Sequence, residues 1–144
     1  MTDEDALIAR LCQLIVESPK YEDTGWEGIS VVCDVHDGGS TNVTGYYFTT
    51  DPYADRAWQV RAPNSSRELL DLLRALNAAM LERTGARWKS CLVQIVRDGM
   101  SFAIDFEYDR DDRWDPMPGT PARKGFPMTI NPLVSGVADG AKDR

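Results

Sequence analysis

RWKSCLVQIVRDGMSFAIDFEYDRDDRWDP, residues 87–116, decides how this chain folds. Two alternating segments, 87–96 and 100–109, flank Arg97-Asp98-Gly99. Asp-Gly between alternating segments predicts a β-hairpin, because both residues tolerate the left-handed backbone of a tight turn. In the second strand Met100, Phe102, Ile104, Phe106 and Tyr108 are expected to point one way, into a core. Ser101, Ala103, Asp105, Glu107 and Asp109 are expected to point the other way, giving a wet, acidic face. The strand then runs into Asp111, Asp112, Trp114 and Asp115.

Upstream of the hairpin, residues 65–85 read as a helix with Leu69, Leu72, Leu73, Leu76, Ala79 and Met80 as its apolar stripe. Ser65 and Glu68 have capping-box spacing, and Gly85 is a natural stop. Further back, 25–37, 41–50 and 56–62 alternate as three strands, divided by Asp37-Gly38-Gly39-Ser40 and Asp51-Pro52. They predict an antiparallel meander. Residues 3–18 open the chain as a helix, with Leu7, Ile8, Leu11, Cys12, Leu14 and Ile15 on one side. Thr2 can cap its start, Asp3, Glu4 and Asp5 suit the positive end of its dipole, and Ser18-Pro19 ends it. The expected fold is α+β: an antiparallel sheet of about five strands, two main helices on one face, in the order α-βββ-α-ββ. Residues 1–116 form the expected single domain. Residues 117–144 are rich in Pro and Gly and read as an irregular arm, with Phe126, Met128 and Ile130 tacking it to the body.

A chain of 144 residues with 42% apolar and 27% charged residues is one ordinary globular domain. It has no apolar run of the ~20 residues that span a bilayer. Its N-terminus is acidic where a signal peptide is basic, which points to the cytosol. A net charge of -7 argues against nucleic acid as a direct ligand and suits a basic protein partner. Cys12, Cys33 and Cys91 sit among apolar neighbours and read as buried free thiols. The single histidine, His36, has no ligand or nucleophile at a useful spacing. No nucleophile, base and orienting group can be assembled, so no enzyme activity is expected.

The acids after the hairpin do not form a known cation loop. Counted from Asp105, the sixth position is Arg110 and the twelfth is Pro116, where an EF-hand needs Gly and Glu. Acids alternating on one strand lie side by side, not across a cleft as glycoside hydrolysis requires. Adjacent like charges repel, so their collection beside Trp114 points to a surface that meets a partner. A solvated strand face running into an acidic loop is the other reading of the same residues. No cofactor and no metal site are expected.

The helix at 65–85, the tryptophan-led strand RWKSCLVQIVRDG and the FEYDRDDRW segment together resemble the YezG-like immunity family. The match to that family's aromatic-acid-Tyr-Asp motif falls on Phe106, Glu107, Tyr108, Asp109 and Trp114, and element order agrees over roughly residues 5–116. The resemblance implies a non-enzymatic cytosolic protein that binds and neutralises a cognate bacterial toxin domain, often a nuclease. The residues expected to hold it are Asp105, Glu107, Asp109, Asp111, Asp112 and Asp115 as the electrostatic part and Trp114 as anchor. An acidic adaptor domain for a host protein is the alternative. The residues do not fix the oligomeric state.

Overall fold

A computed structural model describes residues 3–35, 41–50, 58–64, 66–109 and 132–135. In chain order these give α1 (Asp3–Val16), β1 (Gly28–Val35), β2 (Thr41–Phe48), β3 (Trp58–Val60), α2 (Arg67–Thr84), β4 (Ser90–Val96), β5 (Ser101–Glu107) and a single helical turn, α3 (Pro132–Ser135). The α+β class and the order α-βββ-α-ββ are as the periodicities predict. The strands form one antiparallel sheet in the order β3-β2-β1-β4-β5. The first three strands make the meander, and α2 carries the chain across the helix face so that β4 pairs with the free side of β1.

β1 therefore lies at the centre and is buried on both faces over Gly28–Cys33. A strand in that position must be apolar in nearly every residue, as SVVC is. Ile29, Val31 and Cys33 face the helices together with Cys91, Val93 and Ile95 of β4. Leu11 and Ile15 of α1, and Leu69, Leu73, Leu76 and Met80 of α2, close this core from above. Trp88 stacks at 5.5 Å on Phe106, tying the entry of β4 to β5.

α2 begins one residue later than the capping box predicts. Ser66 is the cap, its Oγ accepting from Leu69 N–H at 3.1 Å. Ser65 lies outside the described residues. The shift places Glu68 in the first turn, where it takes both Nε and Nη2 of Arg10 at 2.8 and 3.0 Å. The predicted stop is present: Gly85 has φ +81° and its N–H donates to Leu81 O at 2.8 Å. Glu4 and Arg83 join the other ends of the two helices, with Nη2 to Oε1 at 2.9 Å. The hairpin between β4 and β5 is a four-residue loop, Arg97 to Met100, since Val96 pairs with Ser101. Gly99 has φ +74°, the left-handed region that glycine enters without strain, and Met100 follows it at φ +46°.

The second face of the sheet has an apolar patch of its own. Val32, Tyr46, Phe48 and Leu92 are buried there, with Trp58 and Leu133 against them. Of the C-terminal arm, only α3 is among the described residues. Pro132 and Leu133 pack over Gly28, where an added Cβ would sit 3.0 Å from Pro132 Cγ. The arm thus meets the body through Pro132 and Leu133. Phe126, Met128 and Ile130 lie outside the described residues.

Candidate interaction surface

The acids at the end of β5 are positioned by the ladder. Asp105 pairs with Leu92 and Glu107 with Ser90, so both carboxylates project on the face away from α1 and α2. Across β4, Ser90 pairs with Asp34 of β1, and Asp34 with Asn42 of β2. One row across four strands therefore reads Asn42, Asp34, Ser90, Glu107. The next reads Thr44, Val32, Leu92, Asp105. Asp34 joins the acids by register alone. No local pattern near residue 34 points to it, because its neighbourhood is set by a strand some sixty positions later.

The ladder ends in a bulge at this point. Ser90 is the register partner of Glu107, yet Lys89 N–H also donates to Glu107 O at 2.7 Å. Lys89, just before β4, and Ser90 thus both oppose Glu107, which bends the strand end beside the carboxylates. Glu107 Oε2 then accepts from Asp109 N–H at 2.9 Å, fixing the chain where it leaves the sheet. Asp109 is exposed and Asp105 and Glu107 are half-buried. Ser90 lies between Asp34 and Glu107, 2% exposed, and its Oγ has no hydrogen-bond partner among the described residues. Asp111, Asp112, Trp114 and Asp115 lie outside the described residues.

The spacing of this array limits its chemistry. Alternate residues on one strand are ~7 Å apart and residues two strands apart ~10 Å. Such separations suit several cationic side chains, each on its own carboxylate, and are too wide for one ion. Among the described residues no three His, Cys, Asp or Glu side chains are placed to hold a metal.

Two expectations for β5 need correction. The face of Ser101, Ala103 and Asp105 is not wet throughout: Ala103 is buried, as are Ser30 and Gln94 in the same row. Only the end carrying Asp34, Asp105, Glu107 and Asp109 is acidic. The opposite face is not core throughout either. Ile104, Phe106 and Tyr108 pack on the helix-side core, but Met100 and Phe102 are 48% and 46% exposed. Met100 belongs to the loop, and α1 does not cover the start of β5. Between them lies an open groove of about 270 Å³ lined by Ala9, Cys12, Val16, Ile95, Met100 and Phe102. It continues toward Arg97, whose Nε donates to Trp26 O at 2.6 Å and whose guanidinium lies 4.0 Å over the Trp26 ring.

All three cysteines are buried free thiols. Burial pushes the Cys12 thiol up to about 12, and the Cys91 thiol is also raised, by its hydrogen bond with Cys33 and by burial. Both stay protonated at neutral pH and supply no thiolate. His36 lies outside the described residues. No described helix is long and apolar enough to cross a membrane. Comparison with family models and with curated proteins finds no match to this sequence.

Proposed function

We propose that this chain is a cytosolic immunity protein of the YezG-like kind, which binds a cognate bacterial toxin domain and blocks its action without catalysis. The observation that carries the reading is the joining of Asp34 to Asp105 and Glu107 at one end of the sheet, with Asp109 two residues beyond β5. Nuclease toxins present Lys and Arg where phosphate binds, and carboxylates at fixed spacing can occupy those side chains with charge-assisted hydrogen bonds. Because Asp34, Asp105 and Glu107 stand on strands, and Glu107 holds the backbone of Asp109 just beyond β5, little ordering is required on binding. The whole chain adds to this with its net charge of -7, which speeds encounter with a basic partner. The FEYDRDDRW segment, residues 106–114, which carries the family resemblance, begins with the last two residues of β5, Phe106 and Glu107.

The test is capture of partners from the native host at low salt, followed by toxicity rescue. A basic toxin domain, bound one to one and silenced in cells by this chain, is the expected result. Asp109→Lys together with Asp105→Asn and Glu107→Gln should weaken that complex by roughly a hundredfold, since a desolvated charge pair lost at an interface costs about 2–5 kcal/mol. Equal affinity in the triple variant would exclude this face. A non-toxic host protein in place of the toxin would favour the adaptor reading.

A further inference from the structure

We propose that the outer edge of β5 is a self-association surface, on which a second copy of this chain adds its own β5 in antiparallel fashion. The direction of the edge groups follows from the ladder. Val35 N–H donates to Lys89 O at 2.9 Å and Arg97 N–H to Glu27 O at 2.9 Å. Alternate peptide groups of β4 thus turn to β1, and those of Ser90, Leu92 and Gln94 turn to β5. They meet Glu107, Asp105 and Ala103. The N–H and C=O groups of Phe102, Ile104 and Phe106 consequently point outward. Among the described residues no strand lies beyond β5.

Natural sheets blunt such edges with Pro, Lys, bulges or short strands. β3, at the other edge, is three residues long. β5 is seven residues, SFAIDFE, with neither Pro nor Lys. Its one bulge lies on the β4 side, at the last residue. Its second residue, Phe102, is exposed, 46% accessible.

What selects a second copy is the order of residues along the strand. A twofold axis through Ile104 is the register that pairs all seven residues. On the helix side it sets Ile104 against its own copy and Phe102 against Phe106, giving the exposed ring an aromatic partner. On the other face Asp105 meets Ala103 and Glu107 meets Ser101. The acids fill the second half of the strand and their neutral counterparts the first, so an antiparallel pair keeps every carboxylate from directly facing another. A parallel pair would set Asp105 against Asp105 and Glu107 against Glu107. Asp105 and Glu107 border this seam on the face away from the helices, but the pairing rests on the backbone edge and the residue order of β5, so the inference does not depend on the toxin reading.

The test is sedimentation velocity of the full chain across the micromolar range, with circular dichroism to confirm that each variant is folded. The expected result is a reversible dimer. Ser101 is exposed, and Ser101→Asp would place two new like-charge pairs against Glu107, weakening the dimer about tenfold, while Ser101→Lys tightens it by a similar factor. Phe102→Lys should leave only monomer. A monomer at every concentration would overturn the proposal. So would a dimer indifferent to Ser101 and Phe102 substitutions. A monomeric chain whose Phe102→Lys variant no longer captures a partner would assign the edge to that partner's strand instead.

Discussion

Asn77 closes the helix layer onto the sheet with one side chain. It is buried on α2, and its Nδ2 donates to Trp88 O at 3.0 Å while its Oδ1 accepts from Trp88 N–H at 3.2 Å. Both peptide groups of Trp88 are thereby satisfied just before β4 begins, in a place where the Trp88 ring is itself 1% exposed. Asn77→Ala leaves one buried donor and one buried acceptor without partners. At about 1–3 kcal/mol per stranded group, the expected loss is roughly 3 kcal/mol. Asn77→Asp keeps the acceptor but turns a carboxylate toward the Trp88 carbonyl, and should be no better. Urea unfolding of both variants checks this. A change under about 0.5 kcal/mol, the range of ordinary surface substitutions, would show that water replaces the amide without cost. Gly45 is constrained as tightly, by backbone. A Cβ there would lie 2.8 Å from Arg61 O, the same carbonyl that accepts the Tyr21 hydroxyl at 2.8 Å.

At the scale of elements, α3 turns a two-layer fold into one covered on both faces at its centre. Gly28 is the contact point, with Pro132 Cγ at 3.0 Å and Leu133 Cγ at 3.2 Å from where a Cβ would stand. Gly28→Ala should therefore displace α3 and cost about 1–3 kcal/mol, the usual penalty of overpacking. Leu133→Ala removes the other half of the same contact. If the two act through one interface, the double variant will be less destabilised than the sum, by about 0.5 kcal/mol or more. Strict additivity in denaturant unfolding would mean that α3 contributes nothing at Gly28. This element was not legible in the sequence: a four-residue apolar turn inside a Pro- and Gly-rich stretch has no period to detect. The long helices and alternating strands were legible, because their apolar residues repeat at 3.6 and 2 over many positions. Ser65 and Ser66 offered two caps one residue apart, and the box rule chose the wrong one because Glu68 is engaged by Arg10 on another helix. The same limit hid Asp34 from the candidate surface. Local alternation tells which face a residue takes, whereas its neighbour across β4 depends on where a distant strand docks.

For the whole molecule, the groups shut in the core set a limit on its alkaline side. Cys12, Cys33 and Cys91 all belong to the single helix-side cluster, with Tyr21 at its margin. The folded state holds the Cys12 thiol up to about 12, and raises that of Cys91, from an ordinary value near 9.0. Tyr21 is raised as well, chiefly by burial. In each case the neutral form is the one the fold favours. Below the unfolded value both states are protonated, and the contribution is fully present. Above it the unfolded chain loses protons that the folded chain keeps, so stability falls with rising pH. A thiol held up in this way contributes a slope of about 1.4 kcal/mol per pH unit in that window, so Cys12 alone removes about 1.4 kcal/mol by pH 10, and Cys91 acts in the same direction. Tyr21 steepens the fall beyond that. The urea midpoint should be level from pH 7 to about 8.5 and then drop steeply. Cys12→Ala should lower the midpoint at neutral pH through its cavity, yet flatten the alkaline slope. A midpoint that stays level through pH 10, or a slope unchanged in Cys12→Ala, would mean that the thiols ionise as freely in the fold as outside it, which a cluster this closed does not permit.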